Sequence, residues 1–420
     1  MAERLTTQRG FWTLGSLLPR LMLFCFLLDL LLRFIPLDAL TFRAWEAVLR
    51  HYPNVQGPFI PNKHYHRDDS YGSAASIGNL PALRRYRTAD FTTDAYGFHD
   101  PPALAQPNPL GILIGDSFAV GSELPEDRTL TAQLTRFSGS YFYNAGGPQP
   151  LRLRSVQSVA RRIGLQRGLV IYEFLETHSL DKPPSSTPDG GHGWGQTTFL
   201  RLLGTKWSDR LRTPLNELHE SPLQALSVKI EKKLQNNILL PNSFAAFAVQ
   251  KNLRNGVPMV FLPHEFTFPA DPAQTAARWG SYFAWYSAEL RKDGLDFVVV
   301  IIPSRFSIYG PFLNPPQETP ASPAVHAALV ADLQLAGVPV ISLLPRYTRD
   351  AALLFPKPAY LYYTDDTHWN ACGTAVAASE ILLHISPDAW SSFGRTPPSH
   401  VPEGAEVLNE NSCKKDGATR

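Results

Sequence analysis

The stretch Leu110-Gly111-Ile112-Leu113-Ile114-Gly115-Asp116-Ser117 is a short apolar run closed by a glycine turn. An unbroken run of this length, bounded by Pro109 and Gly115, predicts a strand buried on both faces. Parallel sheets use such strands. Similar runs recur at Tyr141–Asn144, Gly168–Phe174, Phe297–Ile302 and Val338–Leu344. Stretches with helical apolar spacing separate them: Thr129–Phe137, Val156–Ile163 and Ala324–Ala336. Alternating strands and helices predict an α/β fold, a three-layer sandwich around a mostly parallel sheet.

Such sheets carry their active residues at the carboxyl ends of strands. Ser117, Asn144–Gly147, Glu173 and Pro303–Arg305 each follow a strand directly. A serine hydroxyl needs a base within hydrogen-bond reach, and that base needs a third group to orient it. The second half of the chain offers Leu361-Tyr-Tyr-Thr-Asp365-Asp366-Thr-His368-Trp369-Asn370. A carboxylate two or three residues before a histidine in a tight loop can fix its tautomer, so Asp365 and Asp366 both qualify. Gly-Asp-Ser and Asp-Thr-His are each common by chance. Their joint position in one α/β pattern singles out Ser117 and His368.

Ile112–Gly121, Tyr143-Asn-Ala-Gly146 and Asp366-Thr-His-Trp-Asn-Ala-Cys-Gly373 together resemble the SGNH/GDSL hydrolase superfamily. The upstream Thr93-Asp-Ala-Tyr-Gly-Phe-His99 resembles the segment that often precedes the serine block in bacterial members. Val170–Glu176, Ile301–Tyr309 and Leu361–Trp369 are similar to the alginate O-acetyltransferase family of exported, SGNH-like enzymes. That family supplies its acid and base from an Asp-x-His-Trp block, which favours Asp366 over Asp365. Its histidine block precedes the serine, whereas here Ser117 comes first, as in ordinary SGNH hydrolases.

The resemblance implies an oxyanion hole, which needs preorganised donors. The backbone N–H groups of Ser117 and Gly146 are the candidates, with Asn144 as a third. SGNH hydrolases usually add an asparagine from the third block, but the corresponding segment here is Glu173-Phe-Leu-Glu-Thr-His178. Glu173 is expected either to pair with Arg305 as a structural carboxylate or, with Arg305, to meet substrate. Trp369 is expected to stack on a sugar ring or to pack beneath the loop. His178 and His264 are candidate cleft residues. No metal or organic cofactor is called for.

The flanks suggest location. Residues 1–40 hold an apolar run from Phe11 to Leu37, long enough to cross a bilayer. Arg4, Arg9 and Arg20 on its amino side predict a cytoplasmic N-terminus and an exported remainder. No small-x-small cleavage site follows, so the expectation is a single-pass inner-membrane anchor with the catalytic domain in the periplasm or outside the cell. Asp29 and Arg33, spaced i,i+4, are expected to pair. Residues 41–108 form an irregular lead-in, 109–390 the SGNH-like domain, 179–256 a helical insertion (Leu200–Leu211 and Leu223–Leu234), and 391–420 a disordered tail. The basic insertion helices could also rest on a lipid surface. Cys25, Cys372 and Cys413 do not suggest a disulfide framework or a zinc site. A net charge of +2 lacks the footprint of a nucleic-acid binder.

The expected reaction is acyl transfer, with acetyl the expected group, to a cell-envelope glycan through an acyl-enzyme on Ser117. An exported transferase would need a donor delivered across the membrane, which points to a multi-spanning partner. A carbohydrate esterase or deacetylase would use the same groups. An inactive carbohydrate-binding assembly protein is the reading outside enzymology.

Overall fold

The first predicted strand runs from Gly111 to Ile114, with all four residues buried. Its alternation sets the layers. Ile112 and Ile114 join one apolar cluster and Leu113 the other, as on any strand covered on both faces. The computed structural model describes residues 3–32, 57–181, 248–317 and 321–409, apart from Asn79 and Ser122, and isolated positions including Cys413.

Helix α1 (Glu3–Leu32) opens the chain. Strands β1 (His64–Ser70) and β2 (Arg87–Thr92) pair antiparallel, with helix α2 (Ser73–Ile77) between them. Then come β3 (Gly111–Ile114), α3 (Ser117–Val120), α4 (Leu130–Ser138), β4 (Phe142–Asn144), α5 (Leu153–Arg162) and β5 (Gly168–Leu175). An antiparallel hairpin, β6 (Val249–Asn252) and β7 (Pro258–Phe261), precedes α6 (Pro272–Lys292) and β8 (Leu295–Ile302). The chain continues through α7 (Arg305–Tyr309), α8 (Ala321–Leu335), β9 (Val340–Ser342), α9 (Leu344–Leu354) and α10 (Ala371–His384). Two short helices, α11 (Pro387–Ser392) and α12 (Ala405–Asn409), lie beyond it.

The central sheet has five parallel strands in the order β4-β3-β5-β8-β9. From β3 the chain steps outward to β4, then returns past β3 to β5 and continues the other way. The reversal opens a crevice between the carboxyl ends of β3 and β5, where a doubly wound sheet binds ligands. Helices α4, α9 and α10 cover the face of Leu113, Ile171, Val298 and Val300. Helices α5, α6 and α8 cover the face of Ile112, Val170, Val299 and Ile301. Each fully buried aliphatic side chain contributes roughly 1.5–3 kcal/mol, so the two clusters dominate the stability of the frame that holds the crevice.

Several expectations change outside the sheet. The lead-in is not wholly irregular, because it supplies the β1–β2 hairpin and α2. The insertion helices lie almost wholly outside the described residues, and its last stretch is strand: Val249–Asn252 turns through Asn255-Gly256 into β7. Gly256 takes φ +81° there, the left-handed backbone that makes Asn-Gly a hairpin signal. The tail is ordered as far as Asn409 and includes helix α12, whose Val407 is buried in the main core with Trp390 just before the tail. Cys413 forms a disulfide with Cys372, closing a 41-residue separation; the polar composition around Cys413 concealed that pairing. At the other end, no helix among the described residues is long and apolar enough to cross a membrane. In α1, where side chains are described from Leu17, residues including Leu17, Leu21, Met22, Phe24 and Leu31 are exposed. Asp29 accepts the Leu223 N–H at 3.2 Å, while Arg33 lies outside the described residues.

The disulfide ties the tail to the first turn of α10. Closing a loop of this size removes about 4 kcal/mol of unfolded-chain entropy. Cys413→Ala is expected to lower unfolding free energy by about 2–4 kcal/mol, measured by urea denaturation against the oxidised wild type. Reduction of the wild type should reproduce most of that loss.

Candidate active site

Ser117 is presented by the turn between β3 and α3. Asp116 caps α3, its carboxylate accepting the Phe118 N–H at 2.7 Å, a usual role for aspartate at a helix start. A Cβ at Gly115 would lie 2.3 Å from Glu173 Oε2 and 2.7 Å from Glu173 Cβ. With no side chain there, the end of β3 settles onto β5 and Ser117 faces the crevice. Its N–H belongs to the first turn of a helix, where donors have no intrahelical acceptor.

His368 reaches this serine from the loop between Leu361 and Asn370. The loop is closed by Tyr363 N–H on the His368 carbonyl at 3.2 Å and Asn370 N–H on the Leu361 carbonyl at 3.0 Å. Asn370 then caps α10, accepting the N–H groups of Cys372 and Gly373. Within this frame His368 Nε2 lies 2.7 Å from Ser117 Oγ, and His368 Nδ1 lies 2.5 Å from Asp366 Oδ1. Serine, histidine and aspartate thus form one hydrogen-bonded chain, although 251 residues separate the first two.

The two adjacent aspartates part company. Asp366 also accepts the His368 N–H at 3.0 Å, the Ser73 N–H at 2.5 Å and the Ser73 hydroxyl at 3.1 Å. Burial pushes its carboxyl up, but the His368 imidazole beside it and then Arg87 pull it far below the usual carboxylate range. Asp365 points away from the imidazole. It accepts the N–H groups of Gly72 (2.8 Å) and Arg85 (2.9 Å) and pairs with Arg87 Nη1 at 3.0 Å. A Cβ at Gly72 would sit 2.1 Å from the Asp365 carbonyl oxygen, so only glycine permits this approach.

The remaining expected residues are placed differently. Gly146 N–H donates to Asn144 Oδ1 at 2.9 Å, and Asn144 Nδ2 donates to the Ala119 carbonyl at 3.0 Å. Both brace the serine turn, and Asn144 aims no free amide at the crevice. Glu173 does not pair with Arg305. Its Oε2 accepts the Asp116 N–H at 3.0 Å, and burial, followed by the neighbouring Asp116 carboxylate, pushes its carboxyl well above the usual range. Arg305 pairs instead with Glu265 at 3.0 Å and donates to the carbonyls of Val260, Tyr363 and Asp366. The reason is the β6–β7 hairpin, which brings Val260 and Glu265 to α7. Trp369 is buried, edge-on to Phe118, and donates to the Phe118 carbonyl at 3.2 Å. Glu173, Arg305 and Trp369 are buried beneath the site, so of the two placements expected for each, the structure has the buried one, with the Glu173–Arg305 pairing replaced by other partners. His178, a third exposed at its side chain, lies 3.2 Å from Asp116 Oδ2, while His264 is exposed.

Sequence reasoning missed Ser73, Arg85, Arg87 and Glu123. Ser73, Arg85 and Arg87 lie far from the aspartate pair along the chain, and the β1–β2 segment brings them to it, while Glu123, beyond α3, meets Arg87. It also missed a buried cluster in which Glu176 accepts from Ser304 N–H (2.8 Å), Ser322 Oγ (2.6 Å) and the Ser307 hydroxyl, and meets His326 Nε2 at 2.9 Å. This cluster locks β5, α7 and α8 together behind the crevice. Among the described residues no group of His, Cys, Asp and Glu could hold a metal ion.

Residues 260–410 match the family model described as the SGNH hydrolase-like domain of acetyltransferase AlgX. The matched range contains β8, β9, Asp366 and His368, and Ser117 lies outside it. No curated protein matches the chain.

Glu173 supplies a stability test. A buried acid whose folded-state pKa is raised holds its proton above the unfolded value, so folding grows less favourable as pH rises from about 4.5 toward the folded value. Glu173→Gln keeps an acceptor for the Asp116 N–H and carries no titrating proton. It is expected to flatten stability against pH above the usual glutamate value of about 4.5 and to equal or exceed wild type at the alkaline end, in urea denaturation at each pH.

Proposed function

We propose that this chain is a serine-dependent acetyl-transferring enzyme that moves an acyl group through Ser117 to a hydroxyl of a cell-envelope glycan. The hydrogen-bonded chain Ser117–His368–Asp366, at 2.7 and 2.5 Å, carries the proposal. The match of residues 260–410 to an acetyltransferase-type SGNH domain supports an acetyltransferase or esterase class of activity.

In the proposed mechanism His368 Nε2 takes the proton from Ser117 Oγ as the oxygen attacks the acyl carbonyl. Asp366 fixes Nδ1 as the protonated nitrogen and stabilises the imidazolium that forms. The Ser117 N–H holds the developing oxyanion, and Gly146 N–H joins it by exchanging its bond to Asn144. His368 then protonates the leaving group, and a sugar hydroxyl or water, deprotonated by the same imidazole, releases the acyl group. Transferase and esterase differ only in which nucleophile reaches the acyl-enzyme. The apolar exposure of α1 and the disulfide support an exported, N-terminally anchored protein. On that reading a multi-spanning membrane protein supplies the donor.

Ser117→Ala is expected to abolish release of a chromogenic alcohol from its acetyl ester. Asp366→Asn should lower kcat on the order of 10³–10⁴-fold, and Asp365→Asn far less at equal folding. Equal rates in wild type and Ser117→Ala would sink the enzyme reading and leave a binding protein. Acetylated oligosaccharide, detected by mass spectrometry when acceptor is added, identifies a transferase; acetate alone identifies an esterase. Partition of the full chain into washed membranes, lost on deletion of residues 1–40, checks the anchor.

A further inference from the structure

Three carboxylates, those of Asp365, Asp366 and Glu123, converge on one guanidinium contributed by the lead-in hairpin. Arg87 Nη1 lies 3.0 Å from Asp365 Oδ1, and Arg87 Nη2 lies between Asp366 Oδ2 (3.7 Å) and Glu123 Oε2 (3.8 Å). The guanidinium sits 3.8 Å from the centroid of the Tyr363 ring, and the Tyr363 hydroxyl donates to the Glu123 carbonyl at 2.8 Å. Its side chain is 14% exposed, and those of Asp365 and Asp366 are 1% and 0%. A cation this enclosed pays a desolvation cost that surface ion pairs avoid, and attraction to several anions offsets it.

We infer that Arg87 is a positioning residue for the proposed catalytic chain: it shares Asp366 with His368 and so limits how strongly that carboxylate holds a proton on the imidazole. The inference rests on the catalytic role proposed for Ser117, His368 and Asp366. Asp366 has two kinds of partner. On one side is His368, which must give up its proton to act as a base. On the other are Ser73, which donates to it from N–H and hydroxyl, and the Arg87 guanidinium 3.7 Å away, whose charge does not depend on the state of the imidazole. If Arg87 is removed, Asp365, Asp366 and Glu123 face the imidazole with one cation fewer. The remaining charged groups around the loop are Arg305, which donates to the Asp366 carbonyl, and its partner Glu265. On the serine side lie Asp116, His178 and Glu173, whose carboxyl burial pushes up. None of these replaces the lost charge at Asp366. The negative potential at His368 deepens, its protonated form gains, and the base is silenced at a higher pH.

A structural role alone would change how much enzyme folds and leave the shape of the pH profile unchanged. The test is the rate at which a fluorophosphonate labels Ser117 in full-length protein, measured from pH 5 to 9, together with kcat/KM on the acetyl ester. Arg87→Gln, which removes the charge, is expected to move the acid limb of both profiles upward by about one pH unit and to lower the labelling rate at neutral pH several-fold. Arg87→Lys, which keeps the charge, is expected to hold the limb within a few tenths of a unit of wild type, even where its plateau falls. Arg87→Gln that folds natively by circular dichroism with an unmoved limb overturns the inference, as does Arg87→Lys shifting as far as Arg87→Gln. Should Arg87→Gln fail to fold, Ser73→Ala decides. Loss of that donor to Asp366 moves the limb in the same direction by a smaller amount, and no movement overturns the inference. Wild-type Ser117 that takes no label at any pH is the failure of the proposed function itself, read separately from these comparisons.

Discussion

Burying two adjacent aspartates is the constraint on which this site is built. Asp365 and Asp366 are each all but inaccessible, and an ionised carboxylate out of water must be met by donors and cations. The chain meets that demand, and pins the backbone of the same loop, from four places. The hairpin lobe supplies Gly72, Ser73, Arg85 and Arg87. The loop supplies its own His368. From α7, Arg305 takes the Asp366 and Tyr363 carbonyls, and from β7, Val260 N–H takes the Thr364 carbonyl at 2.9 Å. Removing any one of these contacts leaves polar atoms buried and unmet. The aspartate pair therefore organises segments distant in sequence as well as the histidine beside it.

The serine side follows a different logic, that of close packing at the ends of β3, β4 and β5. Gly115 lets Glu173 rise beneath the turn, and Asn144 and Gly146 close it from β4. Burial, followed by the Asp116 carboxylate, pushes the Glu173 carboxyl well above the usual range. Glu173 occupies the strand end where the resemblance to SGNH hydrolases would place an asparagine, but it turns under Asp116 instead of toward the crevice. In the proposed mechanism the oxyanion therefore falls to backbone donors, while the Asn144 and Glu173 side chains brace the turn. Phe118 joins the two sides, its ring 4.7 Å from that of His368 and 5.5 Å from that of Trp369. A change in the apolar packing there would alter the Ser117–His368 distance without touching either residue.

What was legible in the sequence was local or periodic. The apolar runs around Ile112, Val170 and Val299 announced buried parallel strands because a strand covered on both faces has no polar positions to show. Ser117, His368 and the neighbouring aspartates stood out because each lies at the edge of such an element. Arg87 and Ser73 left no such trace. Nothing in an exposed-looking segment rich in histidine, tyrosine and aspartate marks one arginine as a partner for a carboxylate 278 residues away. Cys413 was equally silent, since a polar neighbourhood carries no information about which helix it will meet.

By itself, then, the sequence determined the sheet and singled out Ser117 and His368, which the fold brings within 2.7 Å, since hydrophobic periodicity and short motifs are properties of contiguous residues. It could not choose between Asp365 and Asp366 without the resemblance, as both lie within reach of the histidine. Tertiary structure made that choice physically. The hairpin lobe binds Asp365 through two backbone N–H groups and Arg87, which turns that carboxylate away and leaves Asp366 facing the imidazole. Tertiary structure also decided that Glu173, Arg305 and Trp369 lie beneath the site, because burial depends on what the rest of the chain places on top of a residue.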